Sequence, residues 1–186
     1  NEYCLNGKKA WISNAGIADY YVLFARTDDG PGAKGLSAFI IDSDTPGIIT
    51  SERINVIAPH PLGTLSLDNC RIPAANMLGN SGDGFKVAMA TLDVFRTTVG
   101  AASLGFARRA MDEAIARSKE REAFGKPISE FQLIQEKIAD MAVKIDAMAL
   151  LIYRSAWTKD VKGTRVTRES SMAKLYGTEA AQEVID

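Results

Sequence analysis

The sequence predicts an α+β protein in which an antiparallel β-sheet or barrel is followed by an antiparallel helical bundle. Residues 1–73 consist of short apolar runs separated by turn-forming residues, a pattern typical of strands joined by hairpins. Residues 85–186 carry apolar side chains at helical spacing over stretches that are too long for strands. Because the strands all precede the helices, the order of elements favours α+β over a parallel α/β sheet.

Turn-forming residues divide the first 73 residues into strands. The predicted strands lie at residues 3–5, 8–13, 20–25, 36–41, 48–57 and 64–72. Asn6-Gly7 lies between the first two runs and predicts a tight hairpin turn, because both central positions of such a turn need a positive φ. Residues 28–32 and Pro46-Gly47 predict further turns. We therefore expect a β domain over residues 1–73.

A glycine-rich linker over residues 74–84 separates this domain from three predicted helices. The helices are expected over residues 85–119, from Ser129 onwards, and from Val166 to the end of the chain. Ser129 followed by Gln132 fits a capping box at the start of the second helix. The apolar faces of these helices are expected to pack as a bundle. The residues predicted to form the faces are Phe85, Met89, Leu92, Val99, Ala102 and Phe106, then Ile134, Ile138, Met141, Ile145, Met148 and Ile152, then Met172, Leu175 and Val184.

Composition excludes several classes of partner. The net charge of −1 provides no basic field for nucleic acid, and no stretch of roughly 18 apolar residues predicts a membrane span. Cys4 and Cys70 have no CxxC spacing and no His neighbour, so we predict buried free thiols rather than a disulfide or a metal site. His60, the single histidine, lies in the Pro-rich run at residues 58–61 with no cluster of metal ligands.

The two ends of the chain carry no start or stop signal. The sequence begins at Asn1 without an initiator Met, and it ends at Asp186 without a Gly or Pro that would terminate the last helix. The start is compatible with an internal piece or a processed chain, and the end in mid-helix favours a piece of a longer polypeptide with a truncated helical domain at residues 85–186.

General catalytic motifs do not identify an activity. No GxGxxG lies between a predicted strand and a predicted helix, and no P-loop, GxSxG or HExxH is present. Composition and spacing alone are compatible with an enzyme and with a non-enzymatic module that oligomerises through its apolar helix faces.

Two strings are more specific. Residues 7–16 read GKKAWISNAG, and residues 121–128 read REAFGKPI and are followed by Phe131-Gln132. Both are similar to signatures of the acyl-CoA dehydrogenase family. Residues 84–89 (GFKVAM) and 93–114 also resemble the first C-terminal helix of that family. The order and spacing of these four strings extend the resemblance over nearly the whole chain.

The resemblance implies a fold, a cofactor and a reaction. Family members have an N-terminal helical domain, a middle β domain and a C-terminal four-helix domain, so residues 85–186 would be an incomplete four-helix domain. They bind FAD and oxidise the Cα–Cβ bond of an acyl-CoA thioester, usually in fatty acid metabolism. Electrons usually leave to electron-transfer flavoprotein, and the usual assembly is a homotetramer, a dimer of dimers. The implied location is the bacterial cytoplasm or the mitochondrial matrix.

The resemblance also assigns cofactor contacts. Trp11 matches the tryptophan that packs against the flavin ring, and Ser13 matches the hydroxyl residue that reaches flavin N5. Without the motif, they would read as a core aromatic and a solvated strand residue. Arg121, Phe124 and Gln132 match residues that hold the pyrophosphate and adenosine end of the FAD of a neighbouring subunit.

Substrate contacts are implied on the first long helix. Asp93 and Arg96 match helix positions near the CoA moiety, Arg96 in particular. On composition alone, either charge would be a solvated helix face.

The catalytic base has no counterpart in these residues. In most family members it is a Glu on a loop beyond the position of Asp186, and in a minority it is a Glu at the position of Phe95. A phenyl ring cannot accept a proton, so residues 1–186 are expected to lack activity on their own. A flavin oxidase or monooxygenase on the same fold remains an alternative. The acyl chain length and a role for His60 are not predicted.

Overall fold

A computed structural model describes all of residues 1–186. The chain divides into two compact units, Asn1–Met89 and Ala90–Asp186. The first unit holds six strands and the start of the first helix, and the second holds the rest of that helix, two further helices and a short hairpin. The first six strands are β1 (Glu2–Ser13), β2 (Tyr20–Arg26), β3 (Leu36–Asp42), β4 (Ile48–Ile54), β5 (Leu62–Pro73) and β6 (Met77–Leu78).

The strands of the first unit form two antiparallel sheets of three strands, as the predicted α+β class requires. One sheet has the order β1-β5-β4 and the other has the order β2-β3-β6. Apolar side chains from both sheets share one core, because successive residues of a strand point to opposite faces and only one set turns inward. The buried members of this core are Leu5, Leu23, Phe39, Ile41, Leu67, Cys70 and Ile72.

The predicted hairpin at Asn6-Gly7 is wrong, because β1 runs straight through these residues. The extra residue lies in β5: Leu5 pairs with Cys70 and Gly7 pairs with Leu67. Asn69 adopts a φ of 48° in this bulge, and its N–H donates to the side-chain oxygen of Asn6 at 2.8 Å. The Asn-Gly pair therefore accommodates a bulge in β5 instead of forming a turn in β1.

Three helices dominate the second unit, as predicted. They are α1 (Gly84–Glu120), α2 (Gln132–Asp160) and α3 (Thr167–Ile185). Two short strands, β7 (Glu122–Ala123) and β8 (Lys126–Pro127), pair between α1 and α2. No helix combines the length and the hydropathy that a membrane span requires.

The buried faces of the helices match the prediction for α2 and, in α3, for Val184. In α2, Ile145, Met148 and Ile152 are buried. In α1, Phe85, Leu92, Val99 and Phe106 are exposed, and in α3, Leu175 is exposed. Small residues replace the predicted stripes at the helix contacts. The buried core of the second unit consists of Leu104, Ala107, Ile145, Met148, Ala149, Ile152, Ala173, Ala180, Ala181 and Val184.

Two glycines explain why small residues line the contact between α1 and α3. A Cβ atom on Gly100 would lie 2.9 Å from the carbonyl oxygen of Ala173, and one on Gly177 would lie 3.3 Å from the Cα of Gly100. The backbones therefore approach too closely for larger side chains. Thr97 and Ser155 add a hydroxyl hydrogen bond of 2.7 Å between α1 and α2.

The predicted capping box at Ser129 is wrong. Residues Ile128–Glu130 form a 3₁₀ turn, and Phe131 occupies the N-cap position of α2 with no side-chain cap. The side chain of Gln135 donates instead to the carbonyl oxygen of Ser129 at 3.0 Å. Gln132 is thus the first helical residue, and its amide is not used in capping.

The two cysteines are free thiols. Cys70 is buried as predicted, and this burial raises the pKa of its thiol, with a smaller contribution from Cys4. Cys4 is exposed, so the prediction of a buried thiol is wrong for this residue. Cys4 and its neighbour Leu5 are successive residues of β1 and point to opposite faces, which explains why Leu5 is buried and Cys4 is exposed.

Candidate functional site

A second bulge shapes the end of β1. Lys9 pairs with Leu65 and Ile12 pairs with Gly63, so β1 has one more residue than β5 over this interval. Trp11 lies in the bulge with a φ of 59°, and 66% of the residue is exposed. The indole is therefore not a core aromatic. Ile12 turns inward and packs against a small buried cluster of Ala15, Tyr21 and Leu65.

Ser13 ends the strand beside an unexpected partner. Its Oγ lies 2.9 Å from Nε2 of His60, within hydrogen-bonding distance. Both side chains are exposed. Sequence reasoning missed this pair, because 47 positions separate the two residues and only the pairing of Ser13 with Leu62 brings them together.

Backbone bonds hold the segment that carries His60. The N–H of Asn14 donates to the carbonyl oxygen of Pro61 at 2.8 Å, and the N–H of His60 donates to that of Ala58 at 2.7 Å. Prolines flank His60 on both sides and fix φ at those positions. His60 also lines a surface pocket of about 360 Å³ together with Arg53. The imidazole is therefore presented from a restrained segment, and the flanking prolines are the only sequence signal for it.

The second predicted cofactor segment forms a tight hairpin. Phe124 and Gly125 connect β7 to β8 with φ values of 54° and 81°. A two-residue connection with positive φ at both positions normally carries Asn-Gly, because most side chains resist that conformation. Phe124 is 97% exposed, and its one ring contact is an edge-on approach to Phe131 at 6.3 Å.

An apolar pocket of about 590 Å³ lies beside this hairpin. Phe124, Phe131 and Gln132 line it, so two of the three predicted cofactor residues of this segment come together. Arg121 is not among the lining residues. It is exposed just beyond the end of α1, and its guanidinium makes no hydrogen bond or ion pair within the chain. The segment therefore offers a free positive charge near an open aromatic pocket.

Asp93 and Arg96 lie on α1, and Asp93 is far from solvated. It is only 5% exposed, and its Oδ2 accepts a hydrogen bond from Thr167 at 2.8 Å, with Nε of Arg165 3.6 Å away. Nη1 of Arg96 lies 3.9 Å from the other carboxylate oxygen, which has no hydrogen-bond partner. Asp93 therefore ties α1 to the first turn of α3. Arg96 is the member of the pair that reaches solvent, and it also donates to Ser171 at 3.4 Å.

Backbone strain singles out two of the predicted contacts. Four non-glycine residues have a positive φ: Trp11, Asn14, Asn69 and Phe124. Asparagine tolerates this conformation, whereas bulky aromatic residues rarely adopt it. Strain of this kind clusters at sites where a ligand is bound. The two aromatic exceptions are the two aromatic residues predicted to contact FAD, Trp11 at the flavin ring and Phe124 at the pyrophosphate and adenosine end.

The chain is an α+β protein in which a two-sheet β unit precedes a helical unit, and each unit exposes one strained aromatic residue. Comparison with known proteins identifies the family. The family model for the acyl-CoA dehydrogenase middle domain matches residues 1–70, and the model for the acyl-CoA dehydrogenase C-terminal domain matches residues 82–186. The chain belongs to the acyl-CoA dehydrogenase family.

Individual relatives agree with this assignment. The short-chain specific acyl-CoA dehydrogenase of Megasphaera elsdenii is 41% identical over 184 residues, which cover 98% of this chain and 48% of the relative. The structure of butyryl-CoA dehydrogenase from Megasphaera elsdenii superposes with a TM-score of 0.93 at 39% identity, over 98% of this chain and 48% of that one. An FAD complex of PigA superposes with a TM-score of 0.93 at 30% identity, over 98% and 48%. The chain thus spans about half the length of the relatives it matches.

The residues present fit a flavin cofactor. Trp11 offers a broad exposed ring face, and the Ser13 hydroxyl lies two positions along the same strand. The second unit offers a strained aromatic, a free guanidinium and an uncommitted amide. These are the groups that stack on a flat ring, pair with phosphate oxygens and hydrogen-bond to a sugar or base.

Proposed function

We propose that the polypeptide containing these residues is an FAD-dependent acyl-CoA dehydrogenase that oxidises the Cα–Cβ bond of an acyl-CoA thioester. The observation that carries the proposal is Trp11, an aromatic residue that is exposed and strained although a strand could have buried it. A large apolar side chain held in an unfavourable conformation at the surface needs a compensating contact, and a flavin ring would supply it. The flavin would accept the hydride from the substrate when bound.

Trp11 and Ser13 have different roles at the flavin ring. The indole of Trp11 covers one face of the ring and excludes water from it. The hydroxyl of Ser13 reaches N5 and donates a hydrogen bond there. The bulge at Trp11 supports this division, because it frees the indole from the regular alternation of the strand.

Arg121, Phe124 and Gln132 serve the cofactor of a neighbouring subunit. The guanidinium of Arg121 pairs with pyrophosphate oxygens, and its lack of a partner within the chain leaves it available for this role. Phe124 and Gln132 share a pocket that takes the adenosine end. This arrangement requires a homo-oligomer, which we propose is a dimer of dimers.

Arg96 contacts the CoA moiety, and Asp93 acts through it. The carboxylate of Asp93 is enclosed by Thr167 and Arg165, so it orients the helix and the arginine. No side chain of residues 1–186 is assigned the role of catalytic base, since Phe95 occupies the one family position for a base on α1. We also propose electron-transfer flavoprotein as the acceptor and the bacterial cytoplasm or the mitochondrial matrix as the location.

The test uses the intact polypeptide. Purified protein is expected to be yellow, to contain FAD, and to lose its flavin absorbance when acyl-CoA substrates of different chain lengths are added without oxygen. A colourless protein that does not bind added FAD would instead support an oligomerisation module. Rapid consumption of oxygen during turnover would identify a flavin oxidase or monooxygenase on this fold.

A further inference from the structure

The contact between Ser13 and His60 can form in two ways, with either side chain as the hydrogen-bond donor. A serine hydroxyl has one hydrogen to donate and two lone pairs that accept. The neutral imidazole either donates from Nε2 or accepts there, depending on its tautomer. The 2.9 Å contact is compatible with both directions. The direction decides where the Ser13 hydrogen points.

In one of these two directions, Ser13 could not donate a hydrogen bond to a cofactor. If Nε2 of His60 accepts, the only hydrogen of Ser13 is committed to the imidazole. If Nε2 carries a hydrogen and donates it, Ser13 Oγ accepts and its own hydrogen stays free. The imidazole therefore controls whether Ser13 is available as a donor.

We propose that His60 is a positioning residue that donates from Nε2 to Ser13 Oγ and so directs the Ser13 hydrogen toward flavin N5. This inference rests on the proposed FAD-dependent function. His60 suits the role because the backbone bonds of Asn14 to Pro61 and of His60 to Ala58 fix the segment that carries it. It acts only through Ser13.

The first experiment determines whether Nε2 of His60 carries a hydrogen. The intact, FAD-loaded polypeptide is labelled with ¹⁵N in its histidine rings, and His60→Gln identifies the His60 signals by their loss. At a pH at which free imidazole is neutral, Nε2 is expected to show the shift of a protonated, pyrrole-type nitrogen. A pyridine-type shift at Nε2 in the loaded protein overturns the proposal.

The second experiment compares two variants at the same position. His60→Ala removes the donor, whereas His60→Gln keeps an N–H that can serve Ser13. Flavin reduction by butyryl-CoA in a single turnover is expected to slow by about three- to tenfold in His60→Ala, the loss of one hydrogen bond. His60→Gln is expected to stay within about twofold of the unaltered protein.

A Ser13→Ala background supplies the control. There, adding His60→Ala is expected to change nothing further, because the effect of His60 passes through Ser13. Equal rates for His60→Ala and the unaltered protein, or an additional loss in the Ser13→Ala background, overturn the proposal. An unaltered protein without FAD overturns both this inference and the proposed function, whereas a loaded protein that fails these tests overturns the inference alone.

Discussion

The exposed aromatics and the buried carboxylate illustrate two different ways in which a predicted site residue can be placed. Trp11 and Phe124 are exposed and have a strained, positive φ. Asp93 is buried, accepts a hydrogen bond from Thr167, and lies 3.6 Å from Nε of Arg165. Removing the first kind should affect binding but not folding, whereas removing the second kind should affect folding first. A family motif alone does not distinguish the two.

Asp93→Ala is the change with the largest expected effect on stability. It leaves the hydroxyl of Thr167 without its acceptor in a partly buried place and removes the ion pair with Arg165, whose side chain is largely exposed. We therefore expect a loss of about 1 to 3 kcal/mol in the free energy of unfolding. Urea unfolding of the intact polypeptide measures it. Glu113→Ala, which removes an exposed partner of Arg109, is the control and should cost less than about 0.5 kcal/mol. Equal costs would show that Asp93 is not the structural tie described above.

Trp11→Ala should weaken FAD binding by about tenfold to a hundredfold, since the ring loses its stacking partner. Folding should be unaffected, because the indole is mostly exposed. Trp11→Gly should bind equally weakly yet be about 1 kcal/mol more stable than Trp11→Ala, because glycine adopts the positive φ without strain. Titration with FAD and urea unfolding give the two values. An unchanged FAD affinity would remove Trp11 from the site.

Phe124→Ala is expected to have a smaller effect, about three- to tenfold on FAD affinity, since Phe124 covers only part of its pocket. Subunit mixing sharpens the test. If Trp11 and Phe124 of different subunits meet at one FAD, assemblies that combine Trp11→Ala and Phe124→Ala subunits contain some sites with both aromatics intact. Those sites should bind FAD with the original affinity. No recovery on mixing would place both residues at the same subunit's cofactor.

The smallest effect concerns a surface pair in the helical unit. Lys144 donates to Glu183 at 2.6 Å, and this hydrogen bond raises the pKa of the Lys144 ammonium above its usual value of 10.5. Because the folded-state pKa is the higher one, the stabilisation is fully present below pH 10.5 and is lost as the pH rises through the raised value. Lys144→Met should therefore differ from the unaltered protein in unfolding free energy at pH 9 and converge with it at strongly alkaline pH. A difference that persists there would contradict the ion pair as its cause.

Local patterns predicted the elements better than the contacts between them. The runs of β residues and the three helices were visible because they depend on short-range periodicity. The hairpin at Asn6-Gly7 was wrong because the positive φ belongs to Asn69, 63 positions away in the partner strand. Phe85, Leu92, Val99 and Phe106 of α1 were expected to be buried but are exposed, and the close approach of α3 at Gly100 leaves no room for a larger side chain at that point of the helix.

The predictions for the candidate site show the same difference between local patterns and contacts of distant residues. For Trp11, the family strings predicted a contact with the flavin ring, whereas the residue pattern alone favoured a core aromatic, and the residue is in fact exposed. His60 was missed because its role depends on the pairing of β1 with β5. The burial of Asp93 was missed because Thr167 and Arg165 lie more than 70 positions further along the chain. In each case the deciding contact joins distant parts of the sequence.

The close approach of α1 and α3 limits which substitutions the two helices can accept. A methyl group at Gly100 would meet a carbonyl oxygen at 2.9 Å, and rigid backbone cannot give way as a side chain can. Five positions further along the same helix, a methyl group at Gly105 would meet nothing within 4 Å, and alanine there would favour the helix by about 1 kcal/mol. Within these residues, Gly100 therefore has no room for a side chain, whereas Gly105 has room for one.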